Sequence, residues 1–479
     1  MADVADLLLS LARDACEFFH DANGTAYATL HEGKTIPVES RDFTQWLIYI
    51  FSAVRPNCCP PLNEVRQAQA TLAAAALFGG DSRPDPPLRV AWLPSKDGIA
   101  IDLANPAGEV VVATAAGWEI TTASPVAFVR YPGIEALPHP VRGRPIATLR
   151  DILRLSTDDW ALFVATLFGA LNPDGPYPVV HFRGEHGSTK STTAGLFRQI
   201  IDPHHDVLRS LPKSVRDLFY AAKHQHILAI DNVSSLSPAF SDALCAIATG
   251  GSWGERRLYC NISEVSFSIC RMAVLTSIEP IVERPDLADR THTFDVPPFS
   301  AGARKTEGKI NTEFRARHPE ILAALLDGVV GALGRRAQIV SQNAPRLADW
   351  FQWACAAEHA LGFEHNEFGR ALGTARDAEN MAQIEAAPCG QAVIQLMEKR
   401  DSWAGTVGNL HRVLQRFRKP KERGWPENPR GLGPALTSIA PALRALGIDV
   451  DFARKRTARG RMVTLRRVAP AGTPGYTLS

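Results

Sequence analysis

Apolar residues recur at helical spacing through residues 2–20, 43–54 and 63–78, which predicts three helices. Elsewhere the period shortens. Residues 25–30 read as a strand behind an Asn23-Gly24 turn, and short apolar runs at 88–92, 99–103, 110–113 and 118–122 are separated by turn residues. Residues 1–145 are therefore expected to form one α/β unit, closed by a linker that Pro132, Pro138 and Pro140 mark. Asp97 and Asp102 make no convincing metal pair there, and no primase-type constellation is visible. A helix is expected over 158–171, with Ser156 or Thr157 as its cap. From Pro178 onward strands and helices alternate, the pattern of a parallel sheet. Residues 314–361 are strongly helical. From Ala404 the chain reads helix (404–417), loop, helix (428–446), then strands at 448–452 and 462–465 joined by a basic hairpin.

Composition changes this picture in one place. The chain has 479 residues, 45% of them hydrophobic and 21% charged, with a formal net charge of only +2. Residues 401–470 nevertheless carry fifteen Lys and Arg against five Asp and Glu. A basic unit on an acidic body implies a polyanion partner held by one region. The eight cysteines (Cys16, Cys58, Cys59, Cys245, Cys260, Cys270, Cys355, Cys389) form no C-x-x-C pair, which argues against a zinc ribbon. They are expected to be buried, unreactive thiols. The start Met1-Ala2-Asp3 has no basic n-region, and no apolar run is long enough to span a bilayer. A cytoplasmic protein with no membrane partner is the expectation.

The chemistry concentrates after residue 177. The apolar run 177–182 is followed by Gly184-Glu185-His186-Gly187-Ser188-Thr189-Lys190-Ser191-Thr192 and then by a helical pattern. A strand, a glycine-containing loop and a helix in that order form a P-loop, whose backbone N–H groups face phosphate oxygens. Lys190 is then the β/γ-phosphate contact, and Ser191 a Mg²⁺ ligand at a helix N-terminus that favours anions. ATP and Mg²⁺ are the implied cofactors. Thr189 stands where the pattern has Gly, so Gly187 is expected to supply the flexibility. Some forty residues on, the apolar run 226–230 ends in Asp231-Asn232, the form of a Walker B strand with Asp231 as second metal ligand. Asn232 occupies the place of a catalytic Glu; an amide orients water but accepts no proton.

These motifs, with Ile230-Asp231-Asn232-Val233-Ser234, Ala248-Thr249-Gly250-Gly251 and Arg284-Pro285-Asp286-Leu287-Ala288-Asp289-Arg290, resemble phage and mobile-element ATPases of the AAA+ class, similar to superfamily 3 and minichromosome-maintenance-like replicative helicases. The resemblance implies an α/β fold with an AAA+ P-loop core (146–312), a helical lid or connector (313–395) and a C-terminal winged helix (396–479) behind the N-terminal α/β domain. It implies a ring, hexameric in such motors, in which each site is completed by a neighbour's arginine. Arg290 matches that finger, with Arg284 as second choice. Thr276 matches sensor 1 and Arg346 resembles sensor 2. A hairpin in the slot 254–269 would offer Arg256 and Arg257 to DNA phosphates. In the C-terminal region, a helix opened by Asn428 and Pro429, with Arg430 in its first turn, precedes the basic turn of Arg454, Lys455, Arg456, Arg459 and Arg461. That arrangement resembles a winged helix and fits phosphate or minor-groove contact.

The leading expectation is an ATP-dependent DNA helicase or translocase acting in replication of a phage or mobile element, on single-stranded or forked DNA, with replication partners reached through the N-terminal unit. A rival class stays open: an ATP-controlled DNA-binding switch or assembly factor without processive unwinding, which the departures at Asn232 and Thr276 keep alive.

Overall fold

Five short strands lie side by side as one all-parallel sheet, in the order Arg209–Ser210, Ile227–Asp231, Met272–Ser277, Val179–Arg183, Thr291–Asp295, and the second and third are apolar runs. The structure is a computed structural model and describes the chain apart from residues 1–3, 32, 154, 257–263, 299–305, 419–423, 458–459 and 471. Alternate residues of the central strands face opposite layers, as strand geometry requires. Ile227, Ala229 and Val274 join a core with helices Thr157–Gly169 and Lys190–Ile201, while Leu228, Ile230 and Leu275 pack on helices Val215–Lys223 and Pro238–Thr249. A sheet covered on both faces explains why these runs are continuously apolar rather than alternating. Ser156 caps the first helix by accepting a hydrogen bond from Asp159 N–H.

Residues before 145 build two sheets. Helix Val4–Ala15 ends earlier than its spacing predicts, and Cys16–Asp21 is a strand paired with Ala26–Leu30. Asp21 fixes that turn by accepting from the N–H groups of Asn23 and Thr25. The second sheet is an antiparallel meander of Val90–Trp92, Gly98–Asp102, Val110–Thr114 and Gly117–Thr121. Its Ile99, Ile101 and Val111 share one core with the parallel-sheet region. Arg89, fully buried, binds Asp202 from the end of helix Lys190–Ile201, and Asp202 also accepts from Ile227 N–H. The meander is thereby bolted to the strand that carries Asp231.

Beyond the sheet runs helix Glu307–Arg335, then strand Ile339–Gln342 and helix Ala348–Ala357, so the long helical stretch is broken by a short strand. That strand pairs with the C-terminal strand Gly475–Leu478, where Tyr476 O–H donates to Glu358. Between them, helix Glu367–Ala386 leads into a module with a core of its own, containing Leu396, Leu410, Leu436 and Val463. The module comprises helix Pro388–Met397, strand Ser402–Thr406, helix Val407–Leu414, helix Pro429–Ala445 and strands Ile448–Thr457 and Gly460–Arg467. Residues 404–406, expected as the start of a helix, belong instead to Ser402–Thr406, the third strand of its sheet, and the helix begins at Val407 with Thr406 as cap. Asn428 caps the following helix as its sequence predicts, accepting from Gly431 N–H. Among the described residues no helix is long and apolar enough to cross a membrane.

The cysteines correct one expectation. Cys16, Cys355 and Cys389 are buried, but Cys58 and Cys59 are exposed and Cys245 and Cys270 half-buried. Cys260 lies outside the described residues. Cys58 and Cys59 fall in the proline-flanked connection between two helices, where no core is available to cover them.

Candidate active site

The loop from Gly184 to Thr189 joins strand Val179–Arg183 to helix Lys190–Ile201 at the C-terminal edge of the parallel sheet, where open α/β sheets hold their ligands. Each odd backbone position has a local cause. A Cβ on Gly184 would come within 2.6 Å of the Val296 carbonyl oxygen, so only glycine fits there. Gly187 has φ +79°, and Thr189, immediately before the helix, has φ +62°. Gly187 thus takes the left-handed turn expected of it, but it does not spare Thr189 the same conformation. Both positions are left-handed, and Thr189 takes up a conformation that costs a β-branched residue about 1–2 kcal/mol.

Two neighbouring strands, far apart in sequence, supply the rest. Met272–Ser277 lies between the loop strand and Ile227–Asp231, with Phe182 opposite Thr276. Thr276 is therefore placed beside Asp231. Its hydroxyl donates to Asp231 Oδ1 at 2.5 Å and accepts from Asn232 N–H at 2.8 Å. Ser191 Oγ donates to the same Asp231 Oδ1 at 2.8 Å. Asp231 Oδ2 has no hydrogen bond from any described residue. Lys190 is 8% exposed, and its ammonium makes one long contact, 3.3 Å, to the Glu185 carbonyl. Ser188 Oγ is fully buried and has no partner among the described residues. Glu185, His186 and Gly187 are exposed on the loop's outer side. Arg183, one residue before it, is held by both oxygens of Asp295.

The loop, with Thr192, opens into a cleft of about 400 Å³ whose far wall is Thr306, Glu307 and Ile310 in the first turn of helix Glu307–Arg335. The sequence reading missed this wall. Its one signal was Thr306 as a helix cap, since it accepts from Lys309 N–H. Beneath the loop, His181 shares a 2.7 Å hydrogen bond with Ser277, and burial pushes its imidazole down to about 4.

The remaining expected site residues lie elsewhere. Arg290 precedes strand Thr291–Asp295, and its carbonyl accepts from Val179 N–H at the start of the loop strand. It is therefore at the opposite end of the sheet from Gly184, about 16 Å away along a five-residue strand. Its Nη1 donates to the Asp286 carbonyl, and Arg284 is paired with Asp242 and Asp286. Arg346 precedes helix Ala348–Ala357 and lines a separate cleft of about 280 Å³ with Asp289, His292 and Arg376. Neither Arg290 nor Arg346 reaches the loop of its own chain. Arg256 ends strand Ser252–Arg256, which pairs with Glu264–Ser268; its side chain and all of Arg257 lie outside the described residues. Arg430 is exposed in the first turn of its helix. The hairpin bearing Arg454, Lys455 and Arg456 pairs as far as Thr457 and Gly460, beyond the reach of strand Ser402–Thr406, which stops opposite Met462. Those three side chains and Arg459 lie outside the described residues, while Arg461 sits with its guanidinium 4.8 Å over the Phe452 ring.

A five-stranded parallel sheet carrying a glycine loop, a buried lysine and a hydroxyl-bound aspartate at one edge defines the class: a mixed α/β protein built on a parallel sheet. Residues 148–373 match the family of the actinomycete integrative conjugative element replication protein, and residues 389–474 match the C-terminal domain of the same replication protein, RepA. The two matches together span well over half of the sequence, and the chain belongs to this family of mobile-element replication proteins. A comparison with curated protein sequences finds no match. Among solved structures, the apo C-terminal region of NrS-1 aligns over 97% of this chain and 98% of its own, at 13% identity and a TM-score of 0.42. JCV helicase aligns over 38% of this chain and 52% of its own, at 16% identity and a TM-score of 0.26. At these scores neither likeness carries an argument.

Proposed function

We propose that the chain is an ATP-hydrolysing DNA motor that acts in replication of its mobile element as a ring of identical subunits. The observation that carries the reading is the convergence of Ser191 and Thr276 on Asp231 Oδ1 beside a loop whose buried Ser188 hydroxyl and Lys190 ammonium lack good partners. Buried polar groups without partners are costly, so such a loop is built for an anion.

The residues fit ATP with Mg²⁺. Backbone N–H groups of 184–191 and the start of helix Lys190–Ile201 receive phosphate oxygens, and Lys190 neutralises them. Ser191 and Asp231 hold the metal; one or two protein ligands are what Mg²⁺ ordinarily takes. Bound there, Mg²⁺ supplies charge neutralisation at the β/γ-phosphates. The cleft wall at Glu307 and Ile310 leaves room for the nucleoside. Arg290 serves a neighbouring subunit, because it cannot reach its own loop. Arg346, on that same end, belongs with the neighbour's site as well.

In this reading the helices from Glu307 to Ala386 are the AAA+ lid, and the module from Pro388 onward is a winged helix whose projecting basic hairpin, with Arg430, grips DNA phosphates. The test is twofold. Forked-duplex unwinding should require ATP and Mg²⁺, and neutralising Arg454, Lys455, Arg456, Arg459 and Arg461 together should flatten the salt dependence of DNA binding by about 0.9 per lost phosphate contact. Binding without unwinding would favour the rival switch, which the amide at Asn232, in place of a proton-accepting acid, supports.

A further inference from the structure

Thr276 is 0% exposed, and a hydroxyl has one proton to give. That proton is committed to Asp231 Oδ1, and one lone pair is taken by Asn232 N–H. The next amide, Val233 N–H, donates to the Thr276 carbonyl at 2.8 Å. The threonine therefore holds the metal-side carboxylate and the two residues' worth of backbone that follow it. It cannot donate to a phosphoryl oxygen without releasing Asp231. Asn232 is the converse case. It is exposed, it stands at φ +53°, and its carboxamide bonds to no described residue. Asn tolerates the left-handed region better than other non-glycine residues. Here the Thr276 hydroxyl satisfies the amide that such a turn would otherwise leave unpaired.

We infer that Thr276 and Asn232 divide the work differently from the sensor arrangement the sequence suggested: Thr276 is a positioning residue that orients Asp231 and locks the turn, and Asn232 is the polar group that meets the attacking water and the terminal phosphate. The inference rests on the ATPase reading. The carboxamide suits the task, since its Oδ1 accepts from a water while its Nδ2 donates to a phosphoryl oxygen. With Ser191 and Thr276 both on Oδ1, Asp231 presents Oδ2 unencumbered.

Three variants of the full chain test this: Thr276→Val, Thr276→Ser and Asn232→Ala. A fluorescent ATP analogue is titrated in EDTA and in graded Mg²⁺, and turnover is measured on the same preparations. Thr276→Val should raise the Mg²⁺ concentration for half-maximal binding about tenfold, the loss of one hydrogen bond to a charged group, and leave binding in EDTA unchanged. Thr276→Ser should restore the Mg²⁺ response. Asn232→Ala should bind with wild-type Mg²⁺ dependence and lose about tenfold or more in kcat. The division is overturned if Thr276→Val keeps its Mg²⁺ response and loses only kcat, or if Asn232→Ala shifts the Mg²⁺ response with kcat intact. Failure of the wild-type chain to bind the analogue in either medium overturns the ATPase reading itself, and the division of work with it.

Discussion

Ser191 Oγ donates a 2.8 Å hydrogen bond to Asp231 Oδ1 across forty positions of sequence. The bond joins the first turn of the loop helix to the tip of a strand two places away in the sheet. In the proposed function it sets the spacing at which both groups would meet one cation. Ser191→Ala should cost the Mg²⁺-dependent part of nucleotide binding about 1.5–3 kcal/mol, roughly tenfold to a hundredfold in apparent affinity. Titration of nucleotide with and without Mg²⁺ reads this directly; an unchanged difference between the two would remove Ser191 from the metal site.

Thr189 holds a left-handed conformation at the position where the loop pattern has glycine. Relief of that strain outweighs glycine's extra chain entropy, so Thr189→Gly should stabilise the fold by about 0.5–1 kcal/mol. Urea unfolding of the two proteins side by side gives the sign. A destabilised variant would mean that the Thr189 side chain, bonded to the Ser188 carbonyl, contributes more than its backbone costs.

Acid should unfold the protein early. Burial lowers His181, His226 and His318 to about 4 and His292 to about 3. All four are neutral in the fold and regain an ordinary value of about 6.5 when the chain unfolds. Between those values the unfolded chain binds more protons, so stability falls as pH drops from about 6.5 toward 4, each residue contributing up to about 1.4 kcal/mol per pH unit. Urea midpoints across that range should decline steadily; a flat profile would contradict burial of these rings.

The Arg89–Asp202 pair ties the antiparallel meander to the parallel sheet at a point closed to solvent. Arg89→Ala leaves the buried Asp202 carboxylate with the Ile227 N–H and, at 4.0 Å, the Arg198 guanidinium, and should cost about 3–5 kcal/mol. The expected signature is a lowered unfolding midpoint with nucleotide affinity per folded molecule unchanged.

Local patterns carried much of this in the sequence. The loop, the Asp231 strand and the capped helix at Asn428 were legible because each is written in consecutive residues. The strand at 402–406 was not, because Ser402-Trp403-Ala404-Gly405-Thr406 lacks clear alternation and runs straight into a helix. Residues 16–20 of strand Cys16–Asp21 were absorbed into the preceding helix because the strand's pairing partner lies beyond a turn. The contacts of Thr276 were invisible, since they depend on strand order rather than spacing. Strand direction explains why Arg290, expected to serve a neighbouring site, stands at the far end of the sheet from its own loop: it precedes a strand parallel to the loop strand.

The measurement that bears most directly on the account is ATP turnover by the purified chain and by Lys190→Ala, each with and without single-stranded DNA. The account predicts Mg²⁺-dependent turnover that DNA stimulates and that Lys190→Ala abolishes. Turnover that survives Lys190→Ala would place the chemistry elsewhere, and slow turnover indifferent to DNA would contradict a motor.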